Sequence, residues 1–125
     1  MSQILLSIRP EYVESIFKGT KRFEYRKIKF ARKDVNKILI YCTAPVMKVV
    51  GEAEILEVIE DTPSAVWEKT KDYAGIDKKF FDEYYKNKEK AIAYQLGNVK
   101  KYLKPIKLTD LGISFVPQSF VYIES

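Results

Sequence analysis

Apolar and polar positions alternate in short, clearly bounded segments at the start of the chain. Residues 4–8 form an apolar run of a length typical of a strand. Pro10 stands where a helix can begin, and residues 11–18 then carry an apolar stripe with the i, i+3, i+4 spacing of one helical face. Gly19 ends that stripe. The pattern therefore predicts a strand, a short helix and a glycine exit in this part of the chain.

The segment after the glycine predicts a second strand over residues 21–26. Phe23 and Tyr25 share one face of it, because successive side chains of a strand point to opposite sides. Glu24 and Arg26 share the other face. Further strands are predicted over residues 37–43, 46–59, 91–96, 99–108 and 119–123.

The centre of the chain carries one strand irregularity and two helix starts. Gly51 lies within the long predicted strand and is a candidate for a β-bulge or a close approach of backbone. Thr62 and Pro63 provide an N-cap and a first helical residue, and Asp77 can cap a second helix. About six or seven strands with one early and two central helices predict an α+β fold. A small curled sheet or β-barrel with peripheral helices is the simplest such architecture that leaves few unpaired strand edges.

The second central helix carries four aromatic residues, which form a wide stripe at Phe80, Phe81, Tyr84 and Tyr85. Core packing is the expected role of such a stripe. A face for self-association or for a partner protein is the alternative.

Composition narrows the chemistry that this chain can perform. The 125 residues predict one domain over residues 1–125. The chain has no His and one Cys, which excludes Ser-His-Asp triads, Cys-His dyads, His-ligated zinc and internal disulfides. Cys42 lies in an apolar strand and is expected to be a buried thiol. We expect no metal ion and no cofactor, so any acid–base work falls to Lys, Glu, Asp or Tyr.

The hydropathy pattern predicts no association with a membrane. No apolar run approaches the ~20 residues that a membrane-spanning helix needs. The first residues also lack the basic and apolar regions of a signal peptide. The expected location is therefore the cytoplasm.

Positive charge is concentrated near the start of the chain. The net charge is +5, yet residues 1–37 hold ten basic and four acidic side chains. Between Lys18 and Lys33 there are eight basic residues and one acidic residue. Such a field suits a polyanion such as nucleic acid, and the alternative is a solvated charged surface.

The densest set of chemical groups is Gly19, Lys21, Glu24 and Arg26, which follow one another within eight residues. This set resembles the G-x-K-x-x-E-x-R signature of ASCH domains, which belong to the PUA-like β-barrel superfamily. Flanking segments that also resemble ASCH proteins are residues 6–10, 41–45, 51–52 and 117–120. The resemblance covers nearly the whole chain.

The resemblance implies a PUA-like small β-barrel with peripheral helices and a cleft between the barrel and the helices. It also implies binding of RNA or a nucleotide-like ligand in that cleft. A regulatory role is a further expectation for such a binding protein. Lys21 and Arg26 would meet phosphate or carbonyl groups, and Glu24 would accept from a base amino group. The candidate ligand-binding residues are Ser7, Arg9, Lys21, Glu24, Arg26, Tyr41, Thr43, Trp67 and Gln118. The structural alternative is that Glu24 only neutralises the neighbouring arginines.

Enzyme activity is the alternative function, with Lys21 and Glu24 as the candidate catalytic residues. Some small ASCH-like enzymes that hydrolyse N4-acetylcytidine use a lysine, a threonine and a glutamate. Lys21 matches the lysine, the threonine position holds Glu24, and the glutamate position falls on Ala74. A lysine base needs a pKa of about 7–8, and a carboxylate beside it opposes that shift. A metal-independent ribonuclease would instead use Glu24 as the base, with Lys21 or Arg26 stabilising charge.

Overall fold

The computed structural model describes residues 2–124 of the chain. Its strands are β1 (Ser2–Ile8), β2 (Phe23–Arg26), β3 (Val35–Cys42), β4 (Lys48–Asp61), β5 (Ala91–Ile106) and β6 (Phe120–Glu124). Its α-helices are α1 (Pro10–Lys18), α2 (Pro63–Thr70) and α3 (Lys78–Tyr84), and 3-10 turns occur at Lys71–Tyr73 and Leu108–Leu111. This is the α+β composition that the sequence predicts.

The helices begin and end at residues with the expected local chemistry. Pro10 opens α1, and Gly19 ends it in the left-handed conformation at φ 84°. The Thr62 side chain accepts a hydrogen bond from the backbone N–H of Ala65 at the start of α2. Asp77 does the same for Phe80 at the start of α3. The sequence signals for the start of all three helices and for the end of α1 are therefore confirmed.

The strands form a mixed sheet in the order β2-β5-β4-β3-β1-β6. β1 pairs in parallel with β3, and the other neighbouring strands pair antiparallel. The predicted barrel needs correction, because within residues 2–124 the sheet is open, with β2 and β6 at opposite edges. Among the described residues, the edge strand β2 pairs with β5 and the edge strand β6 pairs with β1. The two edge strands do not pair with each other, so the sheet does not close into a barrel.

One predicted strand boundary disappears in the structure. Residues 91–96 and 99–108 were expected as separate strands, but β5 runs without interruption through the first and most of the second, ending at Ile106. Asn98 adopts φ 47°, and the register with β4 shifts on both sides of it. Asparagine tolerates this left-handed conformation, so the polar interruption produces irregular pairing rather than a turn.

Gly51 confirms the predicted close approach of backbone. A Cβ at this position would lie 2.5 Å from the carbonyl oxygen of Lys100 and 2.8 Å from the ring of Phe17. Only glycine leaves room for α1 and β5 to approach β4 this closely.

The core divides into three clusters that follow the alternation of the strands. The first core cluster packs α1 against residues such as Leu6, Ile40 and Tyr94, and it contains the buried Cys42. The second core cluster joins β2 and β5 to α2 and α3. The third core cluster lies around Leu5, Leu39, Tyr41, Val49 and Ile113.

No helix within residues 2–124 has the length and apolar character that crossing a bilayer requires.

Candidate functional site: a cleft lined by the motif

A cleft of about 200 Å³ opens where the end of β1, the start of α1, β2 and α3 meet. We call it the motif cleft. Its polar lining residues are Ser7, Arg9, Lys21, Glu24 and Arg26. Its other lining residues are Ile8, Tyr12, Tyr25, Ile76, Phe80 and Tyr84. The structure thus brings together five of the nine predicted ligand-binding residues.

Lys21 is an almost fully buried cation at this cleft. Its side chain follows the glycine exit of α1, and the residue is 3% exposed. The Nζ atom donates a hydrogen bond to the carbonyl oxygen of Ala74 at 2.8 Å. It lies 4.9 Å from the ring centroid of Tyr25 and 5.5 Å from that of Tyr12. Burial lowers the pKa of Lys21; Glu24 opposes this effect and Arg26 adds to it.

The turn between α2 and α3 holds the Lys21 side chain in place. Gly75 in this turn has φ +69°, and a Cβ there would lie 2.4 Å from Cβ and 2.5 Å from Cγ of Lys21. The aliphatic stem of Lys21 therefore packs directly on the backbone of Gly75, beside the Ala74 carbonyl that accepts from its ammonium. Ala74 itself is buried in the second core cluster.

Glu24 and the partly buried Arg26 form an ion pair on the cleft side of β2. The Arg26 Nη2 atom lies 2.8 Å from the Glu24 carboxylate and also donates to the carbonyl of Ser7 at 3.0 Å. Glu24 is 7% exposed. Within residues 2–124, the Nε atom of Arg26 is a buried side-chain donor without a hydrogen-bond partner. Arg22 lies elsewhere, with its guanidinium 4.0 Å from the ring centroid of Tyr73.

The hydroxyl groups of two tyrosines, Tyr25 and Tyr85, link β2 to neighbouring segments through hydrogen bonds. The Thr70 hydroxyl donates to the carbonyl of Val66 at 2.8 Å, so its oxygen must accept from the Tyr25 hydroxyl at 2.7 Å. Burial raises the pKa of Tyr25 to about 12. The Tyr85 hydroxyl donates to the carbonyl of Arg26 at 2.9 Å, and burial raises its pKa as well. These bonds fix the strand that carries the motif.

Four predicted ligand-binding residues lie outside the motif cleft. Tyr41 is 1% exposed and packs in the third core cluster, because it points to the opposite face of β3 from Ile40 and Cys42. The ring of Trp67 packs against the second core cluster. Thr43 and Gln118 are absent from the cleft lining as well.

The sequence-based site also lacked four rings that line the motif cleft, namely Tyr12, Tyr25, Phe80 and Tyr84. We call Tyr12, Phe80 and Tyr84 the aromatic row. Phe81 on α3 and Tyr85 at its C-cap are buried in the core, whereas Phe80 and Tyr84 on α3 face the cleft. The sequence contained a signal for these cleft-facing rings in the stripe of Phe80, Phe81, Tyr84 and Tyr85. Two i, i+4 aromatic pairs offset by one residue cover a wider arc of the helix than one core contact can bury.

Clusters of metal-binding side chains are absent from the described part of the chain. Residues 2–124 bring together no group of three or more His, Cys, Asp or Glu side chains that could hold one. The charged groups at the motif cleft are instead Arg9, Lys21, Glu24 and Arg26.

The architecture is that of an ASCH domain. The ASCH protein of Zymomonas mobilis has a TM-score of 0.87 and 25% sequence identity, covering 98% of this chain and 87% of that one. An ASCH domain-containing ribonuclease from Zymomonas mobilis subsp. mobilis is 27% identical over 109 residues, which are 87% of this chain and 73% of that protein. This protein is therefore an ASCH domain protein. Within that class, the chain belongs to the family described as "Domain of unknown function (DUF365)", whose model matches residues 1–124.

Two further relatives from Ureaplasma parvum serovar 3 are longer proteins. The chain is 30% identical to its ATP synthase subunit alpha over 122 residues and 31% identical to its large ribosomal subunit protein uL22 over 124 residues. Each match covers 97% of this chain. The chain spans only 15% of the first relative and 39% of the second.

Proposed function

We propose that this protein binds single-stranded RNA and holds one nucleotide in the motif cleft. The observation that carries this proposal is that buried N–H donors of Lys21 and Arg26 lack hydrogen-bond acceptors among the described residues. An ammonium has three N–H groups, and residues 2–124 offer Lys21 one hydrogen-bond acceptor and no ion pair. The buried Nε–H of Arg26 has no acceptor at all among these residues. Buried cationic donors without partners are costly, and an anionic ligand such as a phosphate would supply the missing acceptors.

The remaining lining suits the other parts of a nucleotide. The Glu24 carboxylate is an acceptor for a base amino group, which complements the donors of Lys21 and Arg26. The aromatic row adds ring faces, and stacking of a base on such a ring contributes about 1–3 kcal/mol. The ASCH domain-containing ribonuclease of Zymomonas mobilis supports RNA as the polymer.

Fluorescence anisotropy with end-labelled single-stranded RNA tests the proposal. Lys21→Met removes the charge but keeps an unbranched stem over Gly75, and Arg26→Gln removes the second donor group. We expect each to weaken binding about 10- to 100-fold, the effect of losing one charge-assisted hydrogen bond of roughly 1.5–3 kcal/mol. Lys18→Met is the matched control, because Lys18 lies on the exposed surface in an ion pair with Glu14. Unchanged affinity in both cleft variants, with native circular dichroism, would overturn the proposal.

RNA cleavage is a second candidate function, favoured by the presence of Glu24 and Lys21 in one cleft and by the ribonuclease among the relatives. Glu24 would take the proton of a ribose 2′-hydroxyl, and the 2′-oxygen would bond to the adjacent phosphorus as the bond to the 5′-oxygen breaks. Lys21 would stabilise the charge on the phosphorane and give a proton to the leaving 5′-oxygen. Its lowered pKa makes it a stronger acid than an ordinary lysine. The products are a 2′,3′-cyclic phosphate and a 5′-hydroxyl, and proton exchange with water restores both side chains.

The cleavage assay uses labelled RNA in the presence of a metal chelator. Wild-type protein is expected to form products ending in 2′,3′-cyclic phosphate, and Glu24→Gln is expected to form none. RNA with 2′-O-methyl groups is the matched substrate, because it should bind but cannot undergo this reaction. Cleavage of the methylated RNA would contradict the mechanism. An absence of product from unmodified RNA would eliminate this candidate and leave binding, for which a regulatory role is the natural consequence.

Hydrolysis of an acylated nucleoside has weaker support. At the position expected for a catalytic glutamate, Ala74 provides a backbone carbonyl that is already bonded to Lys21. An acceptor of this kind cannot take up a proton as a carboxylate does. Incubation with N4-acetylcytidine followed by chromatography tests this activity directly, and formation of cytidine would restore it as a candidate.

A further inference from the structure

We propose that the ligand of the motif cleft is part of a polynucleotide chain, with the phosphates on either side of the bound nucleotide held by Arg9 at one end of the aromatic row and by Lys27 at the other. This inference rests on the proposed RNA binding and specifies the ligand as an oligonucleotide. It makes a free nucleoside or mononucleotide an incomplete ligand.

The first observation concerns which cations remain unneutralised. Several basic residues near the start of the chain are in ion pairs, such as Lys18 with Glu14 at 3.0 Å and Lys37 with Glu52 at 2.9 Å. Arg9 and Lys27 are both exposed. Neither forms an ion pair with any residue in the described range 2–124.

The second observation is where these two cations lie relative to the rings. The ring centroids of Tyr12 and Phe80 are 6.0 Å apart, and those of Phe80 and Tyr84 are 6.4 Å apart. The Nζ atom of Lys27 lies 4.6 Å from the Tyr84 ring centroid.

At the opposite end of the row, Arg9 is the N-cap of α1, and its carbonyl oxygen accepts a hydrogen bond from the backbone N–H of Tyr12 at 3.0 Å. Arg9 also lines the motif cleft and directly precedes α1. Arg9 and Lys27 therefore flank the aromatic row at its two ends.

This arrangement exceeds what one nucleotide can occupy. A mononucleotide carries one phosphate group, and the buried donors of Lys21 and Arg26 already require acceptors inside the cleft. Two additional exposed cations at separate ends of the row match phosphates on either side of the bound nucleotide. A linear polyanion supplies phosphates at both positions, whereas a free nucleotide cannot.

The experiment compares a nucleoside monophosphate with an RNA octamer, in competition anisotropy over a range of salt concentrations. Arg9→Gln and Lys27→Gln are each expected to weaken octamer binding several-fold and to reduce its log–log salt slope by about 0.7. Monophosphate binding is expected to stay unchanged in Lys27→Gln, because Lys27 does not line the motif cleft. In Arg9→Gln it is expected to weaken less than octamer binding does, because Arg9 also lines the cleft. Lys69→Gln is the matched control, because Lys69 carries the same charge but is paired with Asp61 at 3.4 Å and lines a different surface depression.

The outcomes separate this inference from the proposed function. Equal affinities for octamer and monophosphate, or no effect of Arg9→Gln and Lys27→Gln on the octamer, would overturn the inference. If Lys21→Met still weakens both ligands in that case, binding in the motif cleft stands. If Lys21→Met weakens neither ligand, the proposed function fails and the inference fails with it.

Discussion

Replacing Gly75 with alanine tests how the Lys21 side chain is held in the motif cleft. Gly75 has φ +69°, and the new Cβ would lie within 2.8 Å of three successive carbon atoms of the Lys21 stem. Because those atoms are close to the Lys21 backbone rather than at its mobile end, the contact cannot be relieved by a small rotation of the side-chain tip. Either the turn or the lysine must move.

The expected loss of stability has two parts. Alanine in the left-handed conformation costs about 1–2 kcal/mol, and overpacking against the Lys21 stem adds about 1–3 kcal/mol. Gly112 provides the matched control, because it has φ +75° but no atom within 4 Å of a built Cβ. Gly112→Ala therefore carries the first cost alone.

Thermal unfolding and RNA binding together measure the contact. For a chain of this length, about 1 kcal/mol corresponds to a change of roughly 3–5 °C in Tm. We expect Gly112→Ala to lower Tm by roughly 3–10 °C, and Gly75→Ala to lower it by at least about 3 °C more. Gly75→Ala should also weaken RNA binding, while Gly112→Ala should not. Equal losses of Tm in the two variants would refute the idea that Gly75 constrains Lys21.

Four further predictions concern the charge of Lys21, the hydrogen bond that anchors β2 and the start of α2. As pH rises toward 10.5, RNA binding by the wild type is expected to weaken, because the lowered pKa of Lys21 makes it lose its proton earlier than an ordinary lysine; an affinity that stays constant up to pH 10.5 would contradict this. Over the same range, the unfolding free energy of the wild type should rise relative to that of Lys21→Met. The reason is that Lys21 has its ordinary pKa of 10.5 in the unfolded state and so binds more protons there than in the folded state. Denaturant titrations at each pH measure this difference, and a difference that stays constant with pH would contradict the prediction. Tyr85→Phe removes the hydrogen bond to the Arg26 carbonyl and should cost about 1–3 kcal/mol in a denaturant titration; an unchanged midpoint would mean that this bond does not anchor β2. Thr62→Ala removes the N-cap of α2 and should lower the unfolding free energy by about 1 kcal/mol without changing RNA affinity. Weaker RNA binding by this variant would contradict the expectation that α2 does not contribute to the cleft.

Local signals in the sequence account for most of the secondary structure. Pro10 and Gly19 bound α1 as predicted, and the strand alternation correctly put Phe23 and Tyr25 together in one core cluster. These successes share a cause, since capping and alternation depend on residues a few positions apart. The one merged strand, β5, shows the limit of this approach. A left-handed Asn98 resembles a turn locally, but pairing with β4 carries the strand through it.

Whether the sheet closes into a barrel could not be predicted from local sequence patterns. The expected barrel required the edge strands to meet, and the observed order leaves β2 and β6 at opposite edges of the described sheet. Strand lengths and polar patterns are the same for an open sheet and a closed one. The difference lies in which edges pair, and that is decided by the packing of all the elements together.

The sequence by itself determined which chemistry is available, and the tertiary structure decided how it is arranged. The absence of His and the presence of Lys21, Glu24 and Arg26 in one motif are properties of the chain. The burial of Lys21 arises only in the fold, because its hydrogen-bond acceptor on Ala74 is 53 positions away. The same holds for Tyr84, which faces the motif cleft, whereas Tyr41 is buried elsewhere. Periodicity identifies faces of single elements, but only packing between distant segments sets which charges lose water and which rings meet a ligand.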